Sequence, residues 1–131
     1  MKKAFTLIEI IFVLVVIGIL ASIAIPRFSV SVNDAKLTRA KVQIASVRSG
    51  IANAYSTNIL AGVLAYPQSL EEGECCFAKV LSEPLKESAW SLKGESYTLQ
   101  IASEKTTFFY NNTNGQFACN LKETLCKKVD Y

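Results

Sequence analysis

Histidine is absent from this sequence of 131 residues. That removes the commonest general base and the commonest protein ligand for transition metals. Aspartate occurs only at Asp34 and Asp130, so there is no acidic loop built from aspartates to hold a hard cation. No glycine-rich phosphate loop and no Gly-x-Ser-x-Gly turn is present. No Cys-x-x-Cys occurs, which together with the missing histidine argues against zinc. Basic blocks are missing too. The formal net charge is +3, and Lys2 and Lys3 supply two of those charges, which leaves little electrostatic grip on nucleic acid. These absences lead us to expect no enzyme, no cofactor and no metal site.

What is present is unevenly distributed. The 21 residues 5–25 contain only Thr6, Glu9 and Ser22 as clearly polar side chains, and nearly all charge follows residue 26. As a helix this stretch would span about 30 Å, the hydrocarbon thickness of a bilayer. Lys2 and Lys3 precede it, which places the N-terminus in the cytoplasm and the rest of the chain across the membrane. A buried core helix would not be apolar all round in so small a chain. A plain anchor gives no reason for Glu9. A secretory signal is the rival reading, with small residues at Ser22-Ile23-Ala24, yet the run is long for one and carries a carboxylate. An ionisable group in a spanning helix costs up to about 3 kcal/mol and is read as functional.

The string Lys3-Ala4-Phe5-Thr6-Leu7-Ile8-Glu9 resembles the processing motif of type IV prepilins and type II secretion pseudopilins. That resemblance covers about the first 30 residues. It implies cleavage between Ala4 and Phe5 by a prepilin peptidase and N-methylation of Phe5. It also implies an assembly role for Glu9. Gly18 and Pro26 sit at positions matching the family's glycine and proline, and both are read as kink sites: Pro26 within a helix would kink or end it, and Gly18 would weaken it locally. One residue departs from the pattern: Ala4 stands where glycine is usual. The implied partners are copies of the chain and related pilin subunits, the peptidase, an inner-membrane assembly platform and membrane lipid, with nucleic acid only for a competence pilin. The implied location is the bacterial inner membrane, single-pass, with the C-terminal part in the periplasm. We expect a leader at 1–4, a membrane and filament-core helix at 5–25, and a globular part at 26–131. The family's major pseudopilins carry a C-terminal calcium loop with aspartate ligands, which this chain lacks.

Beyond Pro26 a stripe of Leu37, Ala40, Ile44, Val47, Ile51 and Ala54 recurs at spacings of three and four. The predicted helix runs from Phe5 to about Tyr55 and ends at Thr57, Asn58 and Gly62. Phe77 to Leu81 suggests a short helix stopped by Pro84, and Trp90 a core anchor. Tyr97 to Ile101, Thr106 to Tyr110 and Gln116 to Cys119 read as strands, with a hairpin loop at Asn111–Gly115. Asn111-Asn112-Thr113 also fits a glycosylation acceptor but is read as a turn. Glu71, Glu72 and Glu74 read as a solvated loop. A long helix against a three- or four-stranded antiparallel meander is an α+β fold on the pilin-like plan.

Cys75, Cys76, Cys119 and Cys126 all follow the apolar segment, as disulfides in an oxidising compartment would; four reduced thiols are the alternative. Cys119 with Cys126 would close a C-terminal loop like that of many pilins. A set in which Cys75 and Cys76 each reach Cys119 or Cys126 is preferred here, because the first pairing leaves two adjacent cysteines only each other.

Overall fold

The computed structural model describes residues 6–73, 75–85 and 89–130, with side chains described for all of these except 24–31. The chain divides into two compact units, Met1–Ala35 and Lys36–Tyr131. The first contains the N-terminal part of helix α1 (Leu7–Leu60). The second contains the rest of α1, strands β1 (Trp90–Lys93), β2 (Ser96–Ile101), β3 (Glu104–Asn111) and β4 (Gln116–Cys119), and a short helix α2 (Thr124–Val129).

Helix α1 runs to Leu60, beyond the predicted end at Tyr55. Thr57 and Asn58 are weak helix formers, but their side chains are satisfied within the helix end. Thr57 Oγ1 donates to Asn53 O (3.0 Å), and Asn58 Nδ2 donates to Ala65 O (2.8 Å). The stop itself is a Schellman arrangement. Gly62, at φ 83°, donates its N–H to Ile59 O, and Val63 N–H reaches back to Asn58 O.

The predicted stripe is the buried face of α1 in the second unit. Ala40, Ile44, Val47 and Ile51 are buried, and Leu37 packs beside them. They meet a four-stranded antiparallel meander in the order β1-β2-β3-β4. Alternation along β2 turns Tyr97, Leu99 and Ile101 inward, and Thr106 and Phe108 follow on β3. Register places Tyr97 opposite Phe108 and Leu99 between Trp90 and Thr106. Trp90, Phe77, Tyr97, Phe108 and Phe117 form one aromatic cluster, with Phe77 stacked on Tyr97 at 4.5 Å and Phe108 on Phe117 at 5.0 Å. Each such ring contributes roughly 1.5–3 kcal/mol by burial. Trp90 also donates Nε1–H to Gln43 Oε1 (3.0 Å), which ties β1 to α1. The unit is thus an α+β fold on the pilin-like plan.

Two local expectations change. Residues 77–81 form turns rather than a short helix. Phe77 sits at φ 67°, and its N–H is captured by Glu71 Oε1 (2.7 Å), so the chain makes one turn over Phe77 and does not propagate. Helix α2, absent from the sequence reading, closes the chain against β3. Glu123 precedes it and accepts the Thr107 N–H at 3.1 Å, a position of β3 that β4 does not reach.

Candidate assembly site

The first turn of α1 is built on Thr6, whose carbonyl accepts from Glu9 N–H (3.1 Å) and Ile10 N–H (3.3 Å). Glu9 therefore lies in the turn where unpaired amides carry partial positive charge, and a carboxylate there is favourable. It is exposed and lines a shallow cleft of about 370 Å³ with Ile10, Val13 and Leu14. Every described residue from 6 to 23 is exposed. Leu7 is 77% exposed, Phe12 68% and Leu20 63%, so this stretch of helix buries almost nothing inside its own unit. A soluble protein avoids contiguous apolar surface on this scale, and where it occurs it marks contact with lipid or protein.

Among the described residues no helix is long and apolar enough to cross a membrane. The cleavage and methylation residues Ala4 and Phe5 lie outside the described residues. Gly18 lies within α1 and meets nothing within 4 Å of a Cβ placed on it, so packing inside the chain does not demand glycine. The helix is continuous through position 26, and the side chain of Pro26 lies outside the described residues.

The four cysteines do not form the cross-linked set preferred from sequence. Cys119 pairs with Cys126 (Cα–Cα 5.9 Å), and Cys75 pairs with Cys76. Topology explains the correction. Cys119 ends β4, and after the four-residue connection 120–123 the first turn of α2 brings Cys126 back over it. Asp130 completes this corner. Its carboxylate lies 3.7 Å from Cys119 Sγ and 2.7 Å from Arg48 Nη2. Cys119, Cys126 and Asp130 group closely enough to suggest a metal, but both sulfurs are bonded to each other and the carboxylate is paired with a guanidinium.

The partners of Arg48 escaped the sequence reading, which places it only among the polar residues off the apolar stripe. It stands on the polar side of the stripe, yet it donates from Nε and Nη2 to Phe117 O (3.0 and 2.8 Å) and so clasps α1 to β4 and α2. Gly50 was also missed. A Cβ there would collide with the Val80 carbonyl oxygen, so the 77–81 turn lies directly on the α1 backbone. Neither residue carries a local sequence signal; each is required by a segment distant along the chain.

The exposed apolar helix headed by a carboxylate defines a chain built to be covered by something outside itself. Residues 1–25 match the family model described as the prokaryotic N-terminal methylation motif. This is the prepilin motif of type IV pilins and pseudopilins. Comparison with curated proteins gives no match, and comparison with solved structures gives none.

Proposed function

We propose that this chain is the structural subunit of a helical filament, a pseudopilin of the type II secretion kind that assembles a periplasmic pseudopilus for protein export. The observation that carries the proposal is the fully exposed apolar helix with Glu9 in its first turn, within a stretch that matches the methylation motif. Before assembly, residues 5–25 would span the inner membrane. After extraction they would pack against the same segment of neighbouring copies by a repeated head-to-tail contact. A surface or DNA-uptake pilus uses the same subunit design; the two systems differ in their gene neighbourhoods, with cargo and secretin genes on one side and competence genes on the other.

In this reading Glu9 acts as a docking check. Cleavage before Phe5 frees an α-amine, which methylation leaves basic, with an ordinary pKa of about 7.7–8.0 for the unmethylated group. A neighbour displaced along the filament axis presents that amine to Glu9. In a low-dielectric surrounding the pair offsets much of the cost that either charge would carry alone, and a subunit in the wrong register leaves Glu9 unpaired. Glu9→Val should therefore leave membrane insertion intact or improved and sharply reduce polymerisation, with Glu9→Asp intermediate. Counting filaments or cross-linked oligomers at equal membrane levels tests this. Wild-type assembly by Glu9→Val would sink the docking idea.

A further inference from the structure

Between Pro26 and Leu70 the chain carries its charge almost entirely as cations: Arg27, Lys36, Arg39, Lys41 and Arg48, against Asp34 as the one acid. Arg48 is engaged inside the fold, with Asp130 and the Phe117 carbonyl. Lys36, Arg39 and Lys41 are exposed on α1 at the start of the 36–131 unit, and among the described residues none of them forms an ion pair. Lys36, Arg39 and Val42 follow at intervals of three, which puts them on one side of the helix. Val42 is 62% exposed. Long cationic side chains beside an outward apolar one suit a lipid headgroup layer, where the charges meet phosphate and the stems and the valine meet the less polar material beneath.

Position along the chain selects lipid over a soluble polyanion. Lys36 to Lys41 follow residue 25 by no more than about 17–24 Å of α-helix, however that helix bends. The headgroup layer adds roughly 5–8 Å to each side of the hydrocarbon, and surface charge acts over about 8–10 Å beyond it. Lysine and arginine side chains reach back toward the surface. The charges therefore come within range of the leaflet that the chain leaves.

We propose that Lys36, Arg39 and Val42, with Lys41 adding to their charge, dock on anionic phospholipid headgroups of the membrane that the chain spans. The ligand is the phosphate diester of a lipid with net negative charge. This rests on the reading that residues 5–25 span the membrane and is independent of filament assembly. It gives the membrane-held subunit a docked state that extraction has to break.

The test uses the full-length protein in lipid nanodiscs, one copy per disc, with an environment-sensitive dye on Ala45→Cys, an exposed position of α1 close to Val42. Raising the fraction of phosphatidylglycerol in phosphatidylcholine should shift the emission to the blue and saturate, and high salt should reverse the shift. Lys36→Gln or Arg39→Gln should raise the phosphatidylglycerol fraction at half-response by roughly two- to fivefold, the scale of one cation near an anionic surface. The double variant should abolish the response, whereas Lys122→Gln, an exposed cation elsewhere on the unit, should leave it unchanged. No dependence on phosphatidylglycerol in discs that hold the protein, or a full response in the double variant, would overturn the proposal and leave the membrane reading standing. Equal loss with Lys122→Gln would also overturn it, as would the same shift produced by inorganic phosphate or by a second copy in the disc. Failure of the protein to enter the discs at all would instead overturn the membrane reading, and this proposal with it.

Discussion

Single side chains carry three kinds of demand in this molecule, and only one of them is local. Glu9 is legible because a carboxylate inside an apolar run is an anomaly that needs no tertiary knowledge. Thr106 and Gly50 are not legible, because what makes them unusual is their neighbours. Thr106 is 1% exposed, and its hydroxyl finds no hydrogen-bond partner between Leu99 and the aromatic cluster. Replacing it with the near-isosteric valine removes that unmet group, so Thr106→Val should raise stability by about 1 kcal/mol, read as an upward shift in the thermal midpoint. Gly50 behaves oppositely. In an exposed helix interior alanine would gain up to about 1 kcal/mol over glycine. Here the added methyl meets the Val80 carbonyl, and overpacking of that kind costs about 1–3 kcal/mol. Gly50→Ala should lower the thermal midpoint, and a rise would show that the 77–81 turn does not rest on α1.

Elements with strong periodicity or clear turn chemistry were readable, and short or cooperative ones were not. The α1 stripe, strands β2 to β4 and the Asn111–Gly115 loop follow directly from alternation, spacing and turn residues. In the loop, Gly115 adopts φ 71° and donates to Asn111 O at 2.8 Å, the closure that such a run predicts. Helix α2 is six residues long, too short for a periodic signal, and it forms because β3 and the Cys119 corner hold it. The disulfide pairing was misread for a related reason. Sequence shows the spacing of cysteines but not that a strand end and a helix turn converge. On the chain-entropy model a loop this short stabilises by about 2–3 kcal/mol. A double Cys119→Ser, Cys126→Ser variant should lose about that much while β1 to β4 remain paired. The check is chemical denaturation alongside amide exchange, which should show loss of protection concentrated in residues 120–130. Uniform loss across the sheet would mean that the pairing holds more than this corner.

At the scale of the whole chain, two compact units meet opposite physical requirements. Residues 36–131 bury their own core, with the aromatic cluster closed over α1 and the Arg48 clasp holding the C-terminus. The described side chains at 6–23 leave their apolar surface outward, and cover for such a surface comes from lipid or from protein. That division is why the filament reading explains the chain economically. On that proposal a folded head is delivered and displayed, while a bare helix does the assembling. The reading depends first on processing, since the amine that meets Glu9 exists only after the leader is removed. Intact-mass measurement with N-terminal sequencing of the membrane-extracted protein tests this most directly. The account predicts a mature chain that begins at Phe5 and carries a single methyl group on its amine. A mature N-terminus at Ile25, as an ordinary signal peptide would leave, would contradict it.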